Sequence, residues 1–259
     1  MRIHQIRNAT IVIETGEHSV LVDPMLSKAG TLPAFFTGRF PDRMNPLTEL
    51  PENADKLLSR ITHGLQTHIH FGIESDHLDP PGAALLRDAG VPVYCREGDE
   101  LTLREHGLDA RPLELDVDAA FLGGTIRPVP AMHARGEIGE RMGPGVGYVI
   151  ALPGEPVLYL TGDTIMTDAV RETTRTHRPD VIVAPLGGAQ TDTGDPILFA
   201  LEDAIELAGS SDAVFVANHL GALNHCPVTR DEVRAAATRA GIESRVRVPL
   251  DGETLELNG

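Results

Sequence analysis

The stretch Thr67-His68-Ile69-His70-Phe71-Gly72-Ile73-Glu74-Ser75-Asp76-His77 puts three imidazoles and two carboxylates into eleven residues, directly after an apolar segment ending at Leu65. A second concentration, His219-Leu220-Gly221-Ala222-Leu223-Asn224-His225, adds two more imidazoles. With His63, just upstream of the first stretch, these hold six of the chain's eleven histidines. Between them, His133 and Asp163 each follow an apolar run. Imidazole nitrogen and carboxylate oxygen are the donors that borderline and hard divalent cations prefer, so this distribution reads as a metal site.

The strand pattern around these residues gives them a common placement. Ile3 to Ile6, Ala9 to Thr15 and Ser19 to Val22 are short apolar strands, and Leu65 to Thr67 reads as a buried strand end. Val91 to Cys95 is a strand, and Ala119 to Val129 a hairpin about Gly123-Gly124. Gly147 to Ala151, Val157 to Leu160, Val181 to Ala184 and Ala213 to Ala217 are further strands, and Arg245 to Val248 and Thr254 to Leu257 close the chain. Helices are expected from Asp79-Pro80-Pro81 to Arg87, from Gly98 to His106 and from Thr164 to Thr176. A fourth carries Ile197, Leu201, Ile205 and Ala208 on one face, and a fifth runs to Ala240 behind a Thr229/Glu232 capping box. His68, His70, His133, Asp163 and His219 then all follow strands. Ligands delivered by several strand ends to one sheet edge would form a single cleft. Early strands followed by strand–helix alternation predict an α/β fold with two sheets and outer helices.

At 259 residues, with no linker or charge block dividing the chain, a single domain is expected over 1–259. Pro24 to about Pro51 is irregular and carries Phe35, Phe36 and Phe40, which suits a lid, a pocket wall or an oligomer contact. Lys plus Arg number 22 against 38 Asp plus Glu, a net charge of −16. So acidic a surface disfavours nucleic acid as a partner and, with it, nuclease activity. Cys95 and Cys226 make no disulfide framework, Met1 to Gln5 lack a signal-peptide core, and no run approaches membrane-spanning length. The expectation is a cytoplasmic protein with a small-molecule substrate, no nucleic-acid or membrane partner, and a homo-oligomer allowed.

In Ile6-Arg7-Asn8-Ala9-Thr10, Val20-Leu21-Val22-Asp23-Pro24, Thr67-His68-Ile69-His70, Asp76-His77-Leu78-Asp79, Tyr159-Leu160-Thr161-Gly162-Asp163-Thr164, Asn218-His219-Leu220, Asn224-His225-Cys226 and Asp251-Gly252-Glu253-Thr254 the chain resembles the metallo-β-lactamase-fold hydrolases. Within them it is similar to the metal-dependent hydrolases related to L-ascorbate-6-phosphate lactonase. The resemblance implies a four-layer αββα sandwich of two mixed sheets. It implies that His68, His70 and His133 bind one metal, that Asp76, His77 and His219 bind a second, and that Asp163 bridges them. Asp23, and Asp79 while it caps its helix, would orient ligand imidazoles, and His225 would contact substrate or exchange roles with His219.

One departure from the family motif His-x-His-x-Asp-His stands out. Five residues, Phe71 to Ser75, separate His70 from Asp76 where the motif has one. Either the insertion loops out and leaves the ligands unchanged, or Glu74 takes the place of His70, or one metal position is weakened and a single ion binds. The expected chemistry is hydrolysis of a small ester, lactone or related molecule by a metal-activated water, with Asp76 handling the proton. Zinc is the default ion, one or two per chain, and manganese or iron would also suit the donors. The alternatives are a phosphodiester hydrolase and a non-catalytic binding protein with a degenerate metal site. His4, His18, His106 and His177 read as exposed and His63 as structural. Arg135, Glu137 and Arg141 read as a solvated loop. The absence of a Gly-x-Ser-x-Gly elbow leaves a serine hydrolase without support.

Overall fold

The computed structural model describes residues 1–69 and 75–257; His70 and Glu74 lie outside the described residues. Two seven-stranded mixed sheets stack face to face with helices on their outer sides. The first sheet contains β1 (Arg2–Arg7), β2 (Thr10–Thr15), β3 (His18–Val22), β4 (His63–Leu65), β5 (Pro92–Arg96) and β6 (Asp109–Leu113). β14 (Thr254–Glu256) comes back from the far end of the chain to pair with β1. The second contains β7 (Ala119–Phe121), β8 (Gly124–Ala131), β9 (Gly145–Ala151), β10 (Leu158–Leu160), β11 (Val181–Pro185), β12 (Val214–Asn218) and β13 (Val246–Arg247). The expected αββα architecture is the one observed.

The layers follow from the two-residue period of the strands. In β2, Ile11 and Ile13 point between the sheets while Val12 points outward; in β11, Val181 and Val183 point inward and Ile182 and Ala184 outward. Both faces are apolar because both are covered, as expected for partly parallel sheets flanked by helices. The outer face of the first sheet is covered by α1 (Ala54–Leu58), α2 (Pro80–Ala89) and α3 (Glu100–Glu105), through Leu57, Leu86 and Leu103. The outer face of the second is covered by α5 (Asp168–His177), α6 (Leu201–Gly209) and α7 (Arg230–Arg239), through Val170, Leu207 and Val233.

Strand direction decides where the functional side chains emerge. In the second sheet β9 is antiparallel to both β8 and β10, whereas β10, β11 and β12 are mutually parallel. β8, β10, β11 and β12 therefore end at one edge. By the same reasoning β1, β3, β4 and β5 end at one edge of the first sheet.

Several local expectations change. The loop after His133 contains a helix, α4 (Gly136–Met142), none of whose residues is buried. The helix expected from Thr164 starts at Asp168, where Thr167 caps it by accepting from the Val170 N–H. Ile197 and Leu198 precede α6, because Ala200 is extended (φ −63°, ψ 148°) and the helix begins after it. His4 is buried rather than exposed, with Nδ1 2.7 Å from Thr254 Oγ1. Among the described residues no helix is long and apolar enough to cross a membrane.

Candidate metal centre

Five strand ends converge. β3 ends into Asp23, β4 into Gln66-Thr67-His68, β8 into Met132-His133, β10 into Thr161-Gly162-Asp163 and β12 into His219. Asp76 and His77 join them from the segment between β4 and α2. Their donor atoms form two clusters that share one carboxylate: Asp76, His77, Asp163 and His219 in one, His68, His133 and Asp163 in the other, each within 4.8 Å throughout. Asp163 Oδ2 is the common point, 3.0 Å from His77 Nε2, 3.4 Å from His219 Nε2 and 3.9 Å from His133 Nε2. His68 Nε2 is 3.3 Å from His133 Nε2, and Asp76 Oδ2 is 3.2 Å from His219 Nε2.

These spacings fit a metal. Two donors each about 2.0–2.1 Å from a tetrahedral ion lie about 3.3 Å apart. The donor chemistry fits as well, since imidazoles and carboxylates meet there with almost no water access; only Asp76 keeps an appreciable part, 19%, of its side chain exposed.

The far nitrogen of each imidazole is fixed by a hydrogen bond, which aims the near one inward. His133 Nδ1 donates to Ile197 O at 3.0 Å, and His77 Nδ1 donates to Asp23 Oδ2 at 2.9 Å. His68 Nδ1 lies 3.0 Å from Thr67 Oγ1, which itself donates to Asp23 Oδ2 at 2.6 Å. His219 Nδ1 has the Cys226 thiol at 3.5 Å. Asp23 is held in turn by the Thr67 N–H and the Gln66 side chain, both at 2.8 Å. Asp79 caps α2 as expected, and its carboxylate is spent on backbone N–H groups rather than on a ligand imidazole. Its carboxylate accepts from Gly82 N, capping α2, and from Ser27 N, tying down the irregular segment.

The electrostatics are those of a cation site filled by protons. Burial alone would push the Asp76 and Asp163 carboxyls up. The His77 charge, with the charge and hydrogen bond of His219, outweighs it and holds both below the usual carboxylate range. Burial likewise opposes charge on His77 and His219. Asp163 outweighs it for both, joined by Asp76 and Asp23 at His77, so both imidazoles sit well above their ordinary value. His133 is lowered by burial and by the nearby His77 charge.

The cluster opens into a cavity of about 230 Å³ walled by Phe35, Phe36, Met142, Ile197, Leu198 and His225. His225 belongs to neither donor cluster. Asn8 went unrecognised as a site residue in the sequence. Its Nδ2 lies 3.3 Å from His219 Nε2 and 3.4 Å from Asp76 Oδ2, and its carbonyl accepts from the His219 N–H. Its only sequence signal is an asparagine in a tight turn, where it takes φ +56°.

The sequence model of the beta-lactamase superfamily domain matches residues 18–217. The chain belongs to the metallo-beta-lactamase superfamily. Within that superfamily it falls in the UPF0173 family. It is 32% identical over 256 residues to UPF0173 protein YddR of Bacillus subtilis (strain 168), covering 98% of this chain and 99% of the relative. Other members are called metal-dependent hydrolases, among them Atu1317 of Agrobacterium fabrum, 24% identical over 98% of this chain and 99% of its own length. Two solved structures superpose with a TM-score of 0.90. One is an isothiocyanate hydrolase from Delia radicum gut bacteria, 28% identical with all of both chains covered. The other is a possible metal-dependent hydrolase from Veillonella parvula DSM 2008, 29% identical over 99% of each. The protein is thus a metal-dependent hydrolase of this superfamily.

Proposed function

We propose that His68, His133 and Asp163 hold one divalent metal, with Asp76, His77, His219 and Asp163 holding a second, and that the substrate is a small ester, lactone or related electrophile. The observation that carries this reading is the position of Asp163 Oδ2 at the meeting point of both donor clusters. Zinc is the ion best matched to an imidazole-rich set. Once bound, such ions acidify water and polarise the oxygen of a carbonyl-type group.

The chain's own residues do the rest. Asp76, with part of its side chain exposed at the cavity, is placed to take and return a proton through the oxygen it does not give to the metal. Asp23 fixes the His77 ring, and the Ile197 carbonyl fixes the His133 ring. Apolar walls exclude bulk water from the reacting group. The isothiocyanate hydrolase of the same architecture supports the reading, because an isothiocyanate is likewise a small electrophile attacked at carbon.

The test is metal analysis of protein purified without chelator, followed by a panel of lactones, aryl esters, isothiocyanates and phosphodiesters. About one equivalent of metal or more, with turnover of one of the first three classes lost on chelation, is the expected result. Bound metal of less than roughly half an equivalent would instead favour a non-catalytic binding protein.

A further inference from the structure

One wall of the cavity takes no part in holding metal. Phe35 and Phe36 come from the irregular segment between β3 and α1 and line the same cavity as the donor clusters. Phe36 holds this place at φ +50°, a backbone region that costs a bulky residue on the order of 1 kcal/mol or more. His225 meets both rings, edge-on to Phe35 at 5.2 Å between centroids and tilted to Phe36 at 5.4 Å. It is 5% exposed, and its Nδ1 is buried with no hydrogen-bond partner among the described residues.

Two asparagines distant in sequence hold this wall closed. Asn224 Oδ1 accepts from the Phe35 N–H at 2.9 Å and from Asn45 Nδ2 at 3.1 Å. Its Nδ2 donates to Phe35 O and Pro41 O, while its backbone N–H donates to Asn45 Oδ1. Every polar group of the Asn224 side chain is thus spent on the segment that carries the two phenylalanines. Leu32 and Asn45 close the same segment at its base through a reciprocal pair of backbone hydrogen bonds, both 2.7 Å.

We infer that Phe35, Phe36 and His225 form the specificity wall of the enzyme, that Asn224 latches it through Asn45, and that the selected substrate is uncharged and carries a ring-sized apolar group beside the hydrolysed bond. The inference rests on the hydrolase reading above. Among the described residues no Lys or Arg lines the cavity, and the charged groups there are Asp76, Asp163 and imidazoles. A substrate bearing a phosphate or carboxylate away from the reacting centre would face apolar walls with no cationic partner, a costly burial. An apolar cavity of about 150 Å³ accepts benzene, so about 230 Å³ holds a ring and a small reacting group.

The experiment has two arms, with thermal melts confirming that each variant folds. In the first, benzyl alcohol is titrated into chelator-treated protein and binding is followed by NMR. Binding to the wild type is expected, weakened about fivefold or more in Phe36→Ala and Asn224→Ala and restored in Phe36→Leu. In the second, metal-loaded protein is assayed on phenyl-bearing, acetyl and phosphate-bearing esters. The phenyl ester should be preferred, and Asn224→Ala should raise its KM about fivefold or more with kcat within about twofold. Wild-type protein that fails to bind benzyl alcohol, variants that bind it equally well, or a preference for the phosphate-bearing ester would each overturn the inference. Wall-dependent binding without hydrolysis of any ester, lactone or isothiocyanate would sink the proposed substrate reading and leave the wall in place.

Discussion

Asp23 and Asp163 hold opposite nitrogens of one imidazole: His77 Nδ1 is 2.9 Å from Asp23 Oδ2, and Nε2 is 3.0 Å from Asp163 Oδ2. The two carboxylates also have matching places in the fold. Each lies just past the strand, β3 or β10, where its sheet changes from antiparallel to parallel pairing. The two sheets repeat the same sequence of pairings from edge to edge, and the repetition brings one carboxylate from each to the same ring.

On the proposed ligand set, Asp23 would act on metal through His77. Asp23→Asn should lower metal affinity about 10–100-fold. It should also cost on the order of 2 kcal/mol of stability, since the same carboxylate accepts from Thr67 N, Thr67 Oγ1 and Gln66 Nε2. Competition with a chelator and a denaturant melt measure the two effects separately. An unchanged affinity would show that the His77 ring is held by something else.

His133 and Asp163 should differ in a graded way. Asp163 serves both donor clusters and His133 only one. Asp163→Ala should retain no tightly bound metal and no metal-dependent hydrolysis. His133→Ala should lose hydrolysis while keeping a fraction of the metal on Asp76, His77, Asp163 and His219. Both should fold. Mass-spectrometric metal counting after gel filtration distinguishes the two variants, and wild-type activity in either one would contradict the assignment.

His225 provides a pH-dependent test in the protein without metal. Burial pushes its imidazole down to about 4, against an ordinary value of 6.5. A depressed folded-state value means that the neutral ring contributes stability above pH 6.5, which is lost as pH falls toward 4. The loss amounts to about 2–3 kcal/mol. His225→Phe removes the titrating group and should flatten that part of the stability curve. Urea unfolding of both proteins at pH 7.5 and 4.5 measures the difference. Parallel acid limbs would mean that the ring is not buried in its neutral form.

The site was legible in the sequence to the extent that its chemistry is local. His68, His133, Asp163 and His219 follow apolar runs because strand ends fix ligands well, and period-2 patterning reveals strand ends. The Thr229/Glu232 capping box and the Asp79 cap could be read for the same reason, since a cap and its partner lie within one turn. Strand β6, with Arg111 and Pro112 in its five residues, gives no alternating signal. Helix α4 has two glycines and no buried residue, so nothing in its pattern distinguishes it from a loop. The repetition of the two sheets lies in their pairing, which side-chain patterns do not encode. The meeting of Phe35 with His225 spans most of the chain and follows only from tertiary packing.

Arg7 tests how far the wall depends on its foundation. This guanidinium is fully buried at the end of β1 and donates to the carbonyls of Thr48, Met25 and Ser27, between 2.7 and 2.8 Å. Those three acceptors lie on either side of the segment that carries Phe35 and Phe36, so Arg7 draws both of its ends onto the sheet. Arg7→Ala leaves the buried carbonyls of Met25 and Ser27, and the more exposed one of Thr48, without this donor, and a cavity where the side chain was. A loss of about 3–5 kcal/mol is expected. Arg7→Lys should recover only part of it, because a single ammonium cannot reproduce the planar fork that reaches three acceptors. Denaturant unfolding gives the stability change, and proteolysis with subsequent mass mapping gives its location, with cleavage expected first between Pro24 and Pro51. Full stability in Arg7→Lys, or first cleavage elsewhere, would mean that the segment is anchored without the guanidinium.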